Sequence, residues 1–386
     1  MEMLYQLRCL GFVEIGDDIW FANLYFNALV RLNRRTGKIE DLRKFPDYGM
    51  DWHWLYATVC HVNEYLVFVP FRSKEIVSYN MQTREFTSAP LNLDRTGKKE
   101  RYFAGAFEYG KYVYMFPVEA ECIVRYDVQR NCVKYLFPGL DTISDILPET
   151  AERFALQFEF VDGKVYMPFA GFPAVAIFDP EKESLTVKYL PVKGGCSTIN
   201  YHKGFFYMAS WKTCNIYRWN HKTEEIMVYD EFPQNFLPGE YPFLSGWTMG
   251  KRIYFFPMEG NMIVSLDTES GQVYEEKKTG NRYKEVWRVF YGKRMGESLH
   301  IGMADKDHFC VVDYRDGKTV IKPYFRQDTC FNRAMINIFF LEKGYLDVFA
   351  EQDKRKDDYM AIIMHSPKKN KGRGKDNFGR LIWESL

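Results

Sequence analysis

The feature that most constrains this chain is a ladder of apolar runs that each end in Asn or Asp. It reads Leu29-Val30-Arg31-Leu32-Asn33, then Ile76-Val77-Ser78-Tyr79-Asn80, then Ile123-Val124-Arg125-Tyr126-Asp127. It continues through Val175 to Asp179, Ile216 to Asn220, Ile263 to Asp267 and Phe309 to Asp313. The anchors lie 47, 47, 52, 41, 47 and 46 residues apart. An Asn or Asp at the end of a strand opens a turn by accepting bonds from the backbone just ahead of it, and a nearby Gly closes the turn with a positive φ. Thr36-Gly37, Thr83, Thr223, Gly271 and Gly317 stand where that closure belongs. A second apolar stretch begins 14 residues before every anchor, at Ile19, Leu66, Val113, Val165, Phe206, Ile253 and Leu299. Ahead of each lies a further turn signal (Gly16-Asp17, Asn63-Glu64, Gly110-Lys111) and, before that, a third apolar run such as Phe103 to Tyr109. Each unit therefore reads as four short antiparallel strands, A to D in chain order.

Four strands repeated every 40 to 50 residues or so are the signature of a propeller blade. The expected fold is all-β, a single β-propeller domain over residues 1–386 with eight blades. Seven blades carry the anchors. The eighth is degenerate, with A over Met335 to Leu341, B over Leu346 to Ala350, C over Tyr359 to Met364 and D over Arg380 to Trp383. The alternative is seven blades with a C-terminal extension. Pro70, Pro117 and Pro257 stand at nearly one position, where a missing N–H ends strand B. The units resemble the Kelch and PQQ-type repeats of the β-propeller superfold, on the strength of Asn33-Arg34-Arg35-Thr36-Gly37 and of the turn before strand B. The regular Kelch double glycine and the WD40 Gly-His and Trp-Asp pairs are absent. Lys38-Ile39-Glu40-Asp41 lacks the Trp that quinone docking needs after Thr-Gly, so no cofactor is expected. The fold alone does not name a function, because propellers serve as hydrolases, lyases, oxidoreductases and scaffolds.

Composition narrows the partners. Lys and Arg number 52 against 51 Asp and Glu, so there is no basic field to hold nucleic acid. The longest apolar runs, such as Tyr65 to Phe71, are strand-sized and too short to span a membrane as a helix. The first residues, Met1-Glu2-Met3-Leu4-Tyr5, show no secretory pattern. The eight cysteines are scattered without a Cys-x-x-Cys pair and read as buried thiols. The expectation is a cytoplasmic protein that binds neither nucleic acid nor membrane.

In such a fold the B-to-C loops and the D-to-A crossovers share one face. The candidate ligand-binding residues there are Trp52, His53, Arg72, Glu119, Trp211, Trp247, Glu259, Asp305 and His308. Indole rings beside carboxylates and Arg suit a glycan, whose apolar face stacks while its hydroxyls bond to charged groups, and they suit a partner protein equally. The plain alternative is that these aromatics seal neighbouring blades. Glu119, Glu121, Glu259 and Asp305 could supply a carboxylate pair for glycosyl chemistry. His53 and His308 with Asp51 and Asp305 have no metal-ligand spacing, and no metal is expected. No Gly-x-Ser-x-Gly, His-Glu-x-x-His or phosphate-loop pattern occurs. The basic stretch Lys368 to Lys375 reads as a solvated loop. The expected function is a non-catalytic binding module for a partner protein or a carbohydrate-like ligand. The alternative is a carbohydrate-active enzyme using acidic residues at the channel mouth.

Overall fold

A computed structural model describes residues 7–49, 52, 54–93, 101–118, 120, 122–136, 154–278, 289–295, 298–303, 309–315, 318–323, 332, 335–336 and 339. The chain divides into two compact units, Leu7–Arg326 and a second made of Met1–Gln6 with Gln327–Leu386. The sheets belong to the first.

Among the described residues there are seven four-stranded antiparallel sheets, each made of consecutive strands in chain order. The first holds β1 (Val13–Ile15), β2 (Asp18–Ala22), β3 (Ala28–Asn33) and β4 (Lys38–Lys44). The second holds β5 (Tyr56–Val62), β6 (Tyr65–Pro70), β7 (Glu75–Asn80) and β8 (Phe86–Pro90). The third holds β9 (Phe103–Tyr109), β10 (Tyr112–Pro117), β11 (Ile123–Asp127) and β12 (Cys132–Leu136). The fourth holds β13 (Glu159–Val161), β14 (Lys164–Pro168), β15 (Ala174–Asp179) and β16 (Ser184–Tyr189). The fifth holds β17 (Asn200–His202), β18 (Phe205–Ala209), β19 (Ile216–Trp219) and β20 (Ile226–Tyr229). The sixth holds β21 (Phe243–Met249), β22 (Arg252–Pro257), β23 (Met262–Asp267) and β24 (Val273–Lys278). The seventh holds β25 (Val289–Met295), β26 (Ser298–Met303), β27 (Phe309–Arg315) and β28 (Lys318–Pro323).

The second strand of each sheet reads as a continuous apolar run because sheets cover it on both faces. Leu66 and Phe68 pack toward the first sheet, whereas Val67 and Val69 pack toward the third. One apolar cluster fills the space between each successive pair of sheets, from the first pair to the sixth and seventh. The second strands end at Pro70, Pro117 and Pro257, and there the register with the first strand slips by one residue. The missing N–H at each proline removes a ladder bond at that point.

The anchor turns share one geometry. Asn80 Oδ1 accepts the N–H groups of Gln82 and Thr83 at 2.8 and 3.0 Å, and Asp179 Oδ1 accepts those of Glu181 and Lys182 at 3.1 Å. Asn33, Asn220 and Asp267 do the same, and Asp127 Oδ1 accepts the N–H of Arg130 at 3.1 Å. Four residues after each of these anchors the backbone is left-handed, at Gly37, Arg84, Asn131, Glu183, Glu224 and Gly271. Glycine, the expected closing residue, fills only two of the six positions. The other side chains reach back to the preceding sheet. Arg84 meets Asp41 at 3.1 Å, Asn131 donates to Ser88 O at 3.0 Å, Glu183 pairs with Arg125 and Lys134, and Glu224 meets Lys188 at 2.6 Å. At Gly271 a Cβ would stand 3.0 Å from the Tyr229 ring, so the preceding sheet already occupies that space. A left-handed non-glycine residue costs about 1–2 kcal/mol; here it supplies an inter-sheet clasp.

The first strands form the inner edge: β5 touches β1 and β9, β17 touches β13 and β21, and β21 touches β25. The last sheet meets the first directly. His300 Nδ1 of β26 lies 2.7 Å from Glu14 Oε1 of β1, and both side chains are buried. Gln157, just ahead of β13, reaches past the fifth sheet to Gly246 of β21, accepting its N–H at 3.0 Å and donating to its carbonyl.

The expected eighth sheet is not found among the described residues. Met335, Ile336 and Phe339, assigned by sequence to its first strand, are helical, as is Asn332. Their spacing of three, four and seven residues is that of one helix face, and Asn332, Ile336 and Phe339 are buried. The rest of that unit lies outside the described residues.

Candidate interaction face

Antiparallel order brings every B-to-C loop and every crossover to one end of the ring and every hairpin turn to the other. At the crossover end, two aromatic clusters stand out, one between the first and second sheets and one between the fifth and sixth.

The first is the crossover from β4 to β5. Asn27 Nδ2 donates to the carbonyls of Phe45 (3.3 Å) and Tyr48 (3.0 Å) and fixes where the chain leaves β4. The Tyr48 hydroxyl accepts the Lys74 N–H at 2.8 Å, which ties the crossover to the loop after β6. Leu55 O accepts the N–H groups of Phe71, Arg72 and Ser73. Asp47 and Trp54 both adopt left-handed backbone, with φ of 67° and 57°. For a bulky residue such as Trp this is a strained state that its surroundings must impose, and the Trp54 N–H is held by Leu24 O at 2.9 Å. On this frame Trp52 is 48% exposed, packed edge-on against Tyr48 with ring centres 5.1 Å apart. At the start of β7, burial and then the neighbouring Asp47 carboxyl raise the pKa of Glu75.

The second cluster is the crossover from β20 to β21. Glu259 Oε2 accepts the N–H groups of Glu240 (2.7 Å) and Tyr241 (3.3 Å). Asn261 accepts from Leu237 N at 2.8 Å and donates to Asn235 O at 2.9 Å. Gly239 is left-handed, and a Cβ there would stand 2.6 Å from Glu259. The clamp displays Leu237, 61% exposed, and Trp211, whose ring centre lies 5.0 Å from that of Tyr241. Lys212 sits over the same Tyr241 ring at 5.7 Å.

The nine expected ligand residues thus divide. Trp52 and Trp211 are surface aromatics of two separate clusters. Arg72 is half-buried in the loop that holds Leu55. Glu259 is engaged with backbone N–H groups. Trp247, on the inner strand β21, packs edge-on against Phe256 at 5.6 Å and toward Gly292, between the sixth and seventh sheets. His53, Glu119, Asp305 and His308 lie outside the described residues, as do Asp51, Glu121 and Trp287. Leu237 was missed by sequence reasoning; its signal was an apolar residue beside the turn-forming Pro238-Gly239. Among the described residues no three His, Cys, Asp or Glu come together to hold a metal ion. No described helix is long and apolar enough to cross a membrane.

No family model matches the chain, and no curated protein matches it. Solved structures do. The computationally designed Ika8 protein aligns at a TM-score of 0.55 with 9% identity, over 83% of this chain and 88% of that one. The WD40 repeats of RRP9 align at 0.54 with 14% identity, over 78% and 88%. A chain of the mitotic checkpoint complex aligns at 0.54 with 12% identity, over 78% and 85%. The chain is a β-propeller. At these identities the likeness extends to the architecture alone, and the propeller's use must be read from its own surface.

Proposed function

We propose that this propeller is a non-catalytic interaction module whose crossover face receives a partner protein. The observation that carries the reading is the display of Trp52 and Leu237, two large apolar side chains about half exposed or more, on crossovers that are themselves firmly clamped. Aromatic anchors held on a rigid support suit protein recognition, because little side-chain freedom is lost on binding. The WD40 likeness is consistent with such a role. A partner protein fits better than a glycan. Glu259 spends one carboxylate oxygen on backbone N–H groups, and the neighbours of Trp211 are Tyr241 and Lys212, a combination suited to an apolar and acidic protein surface.

The test is cross-linking capture with the intact chain and with a Trp52→Ala, Leu237→Ser double variant, alongside a glycan array. A protein retained by the wild type and lost by the variant at unchanged Tm supports the reading. Equal capture by both, or saturable glycan binding that the variant loses, overturns it.

A further inference from the structure

On the inner strands, away from the crossover clusters, lies a cavity of about 490 Å³ lined by residues of the first four sheets and the segments that lead into them. Its origin is visible in β9, where Ala104-Gly105-Ala106 places three small residues in a row on the inner edge. Across from them stand Leu156 and Phe158, on the segment that leads into β13, and Phe160 of β13 itself. Leu156 and Phe160 are among the exposed large apolar side chains of the molecule, at 36% and 48%, although they face a cavity. Phe158 and Phe160 lie 5.9 and 6.2 Å from Phe107, and Phe160 lies 6.2 Å from Tyr109, so one wall is aromatic.

The charge of the site has one sign. Among the described residues Glu108 is the single charged one in the lining, and its side chain is exposed. The strands β1, β5, β9, β13, β17 and β21 carry Glu14, Glu108 and Glu159 and neither Lys nor Arg. Aromatic faces and carboxylates both attract organic cations.

We propose that the cavity binds a small apolar molecule carrying one ammonium group, with its apolar body against Leu156, Phe158 and Phe160 and its cation beside Glu108. The volume lies within the range of whole small-molecule sites, roughly 300–1,000 Å³, and exceeds what one inserted side chain fills. A sugar would find few partners in a wall this apolar. An anion would meet the Glu108 carboxylate with no cation among the described lining residues. The proposal is independent of the protein-binding face.

The test is calorimetric titration of the full chain with benzyltrimethylammonium, phenethylammonium, benzyl alcohol and phenylacetate. Both ammonium probes are expected to bind at one site, roughly tenfold more tightly than phenylacetate. Glu108→Gln is expected to weaken the ammonium probes by roughly fivefold and to leave benzyl alcohol unchanged. In Gly105→Leu the new side chain grows toward Phe158, since a Cβ there stands 3.8 Å from that ring; binding of every probe is expected to vanish at unchanged Tm. Should that variant unfold, Ala104→Leu, at another residue of the lining, takes its place. Absence of binding by all four probes overturns the proposal. So does equal binding of phenylacetate and the ammonium ions, or unchanged binding in the folded cavity-filling variant.

Discussion

Compare the hairpin turns of the second and fifth sheets with the crossovers that enter the second and sixth. In the turns, Asn80 and Asn220 each exchange the same bonds: the N–H to the carbonyl five residues on at 2.9 Å, and the carbonyl to the N–H four residues on at 2.8 Å. The crossovers share no such plan. One is tied through a tyrosine hydroxyl, an asparagine and two left-handed non-glycine residues. The other is tied through a carboxylate, an amide side chain and one left-handed glycine. One end of the ring repeats a structural solution; the other departs from it while remaining just as well held. In a repeat protein the loops at one end are free to diverge while the repeated turns at the other keep the scaffold.

The largest expected effect falls on the support that both ends share. Glu14→Ala removes the buried carboxylate that meets His300 between the last and first sheets, and a cost of about 1–3 kcal/mol is expected in guanidinium unfolding. A loss below about 1 kcal/mol would show that the seam contributes little.

At the repeating end, Asn80→Leu removes the acceptor of two N–H groups and should cost about 1–2 kcal/mol. The equivalent Asn220→Leu should cost the same within about 0.5 kcal/mol. A clear inequality would break the equivalence of the turns.

A pH titration sharpens the distinction between ring and rim. Burial pushes the Glu159 carboxyl up to about 7 from 4.5, partly opposed by the Tyr201 N–H. The folded state therefore holds a proton that the unfolded state has released, and stability should fall as pH rises from 4.5 through 7. Glu159→Gln should flatten that slope, which a Tm series across pH reads directly.

Smaller still is Glu183→Gly, which relieves the left-handed strain and loses the clasp to Arg125 and Lys134; a net change within about 1 kcal/mol is expected. Glu183→Ala keeps the strain and loses the clasp, so it should be the less stable of the two. The smallest stability effect, within about 0.5 kcal/mol, is expected for Trp52→Ala, which should nonetheless abolish partner capture.

The sheets were legible because each unit announces itself twice, by its anchor and by a strand at a fixed offset ahead of it. The supposed eighth unit lacked an anchor. The apolar residues Met335, Ile336 and Phe339 could be placed on a strand only by analogy, and their spacing belonged to a helix. At the crossover face, location was legible and role was not. Trp52 and Trp211 emerge as surface rings, while Glu259 and Trp247 are absorbed by contacts with residues distant in sequence. No local pattern shows that Glu259 faces the N–H groups of Glu240 and Tyr241, nor that Gln157 would find Gly246 across the ring.

The uninterrupted order of strands has a mechanical consequence. Each sheet is drawn from one continuous stretch, and among the described residues no strand is shared between the first sheet and the last. Between those two, Glu14 and His300 act as a clasp made of side chains. Under tension a contact made by side chains should part before any hairpin is peeled away, with the sheets on either side of it still intact.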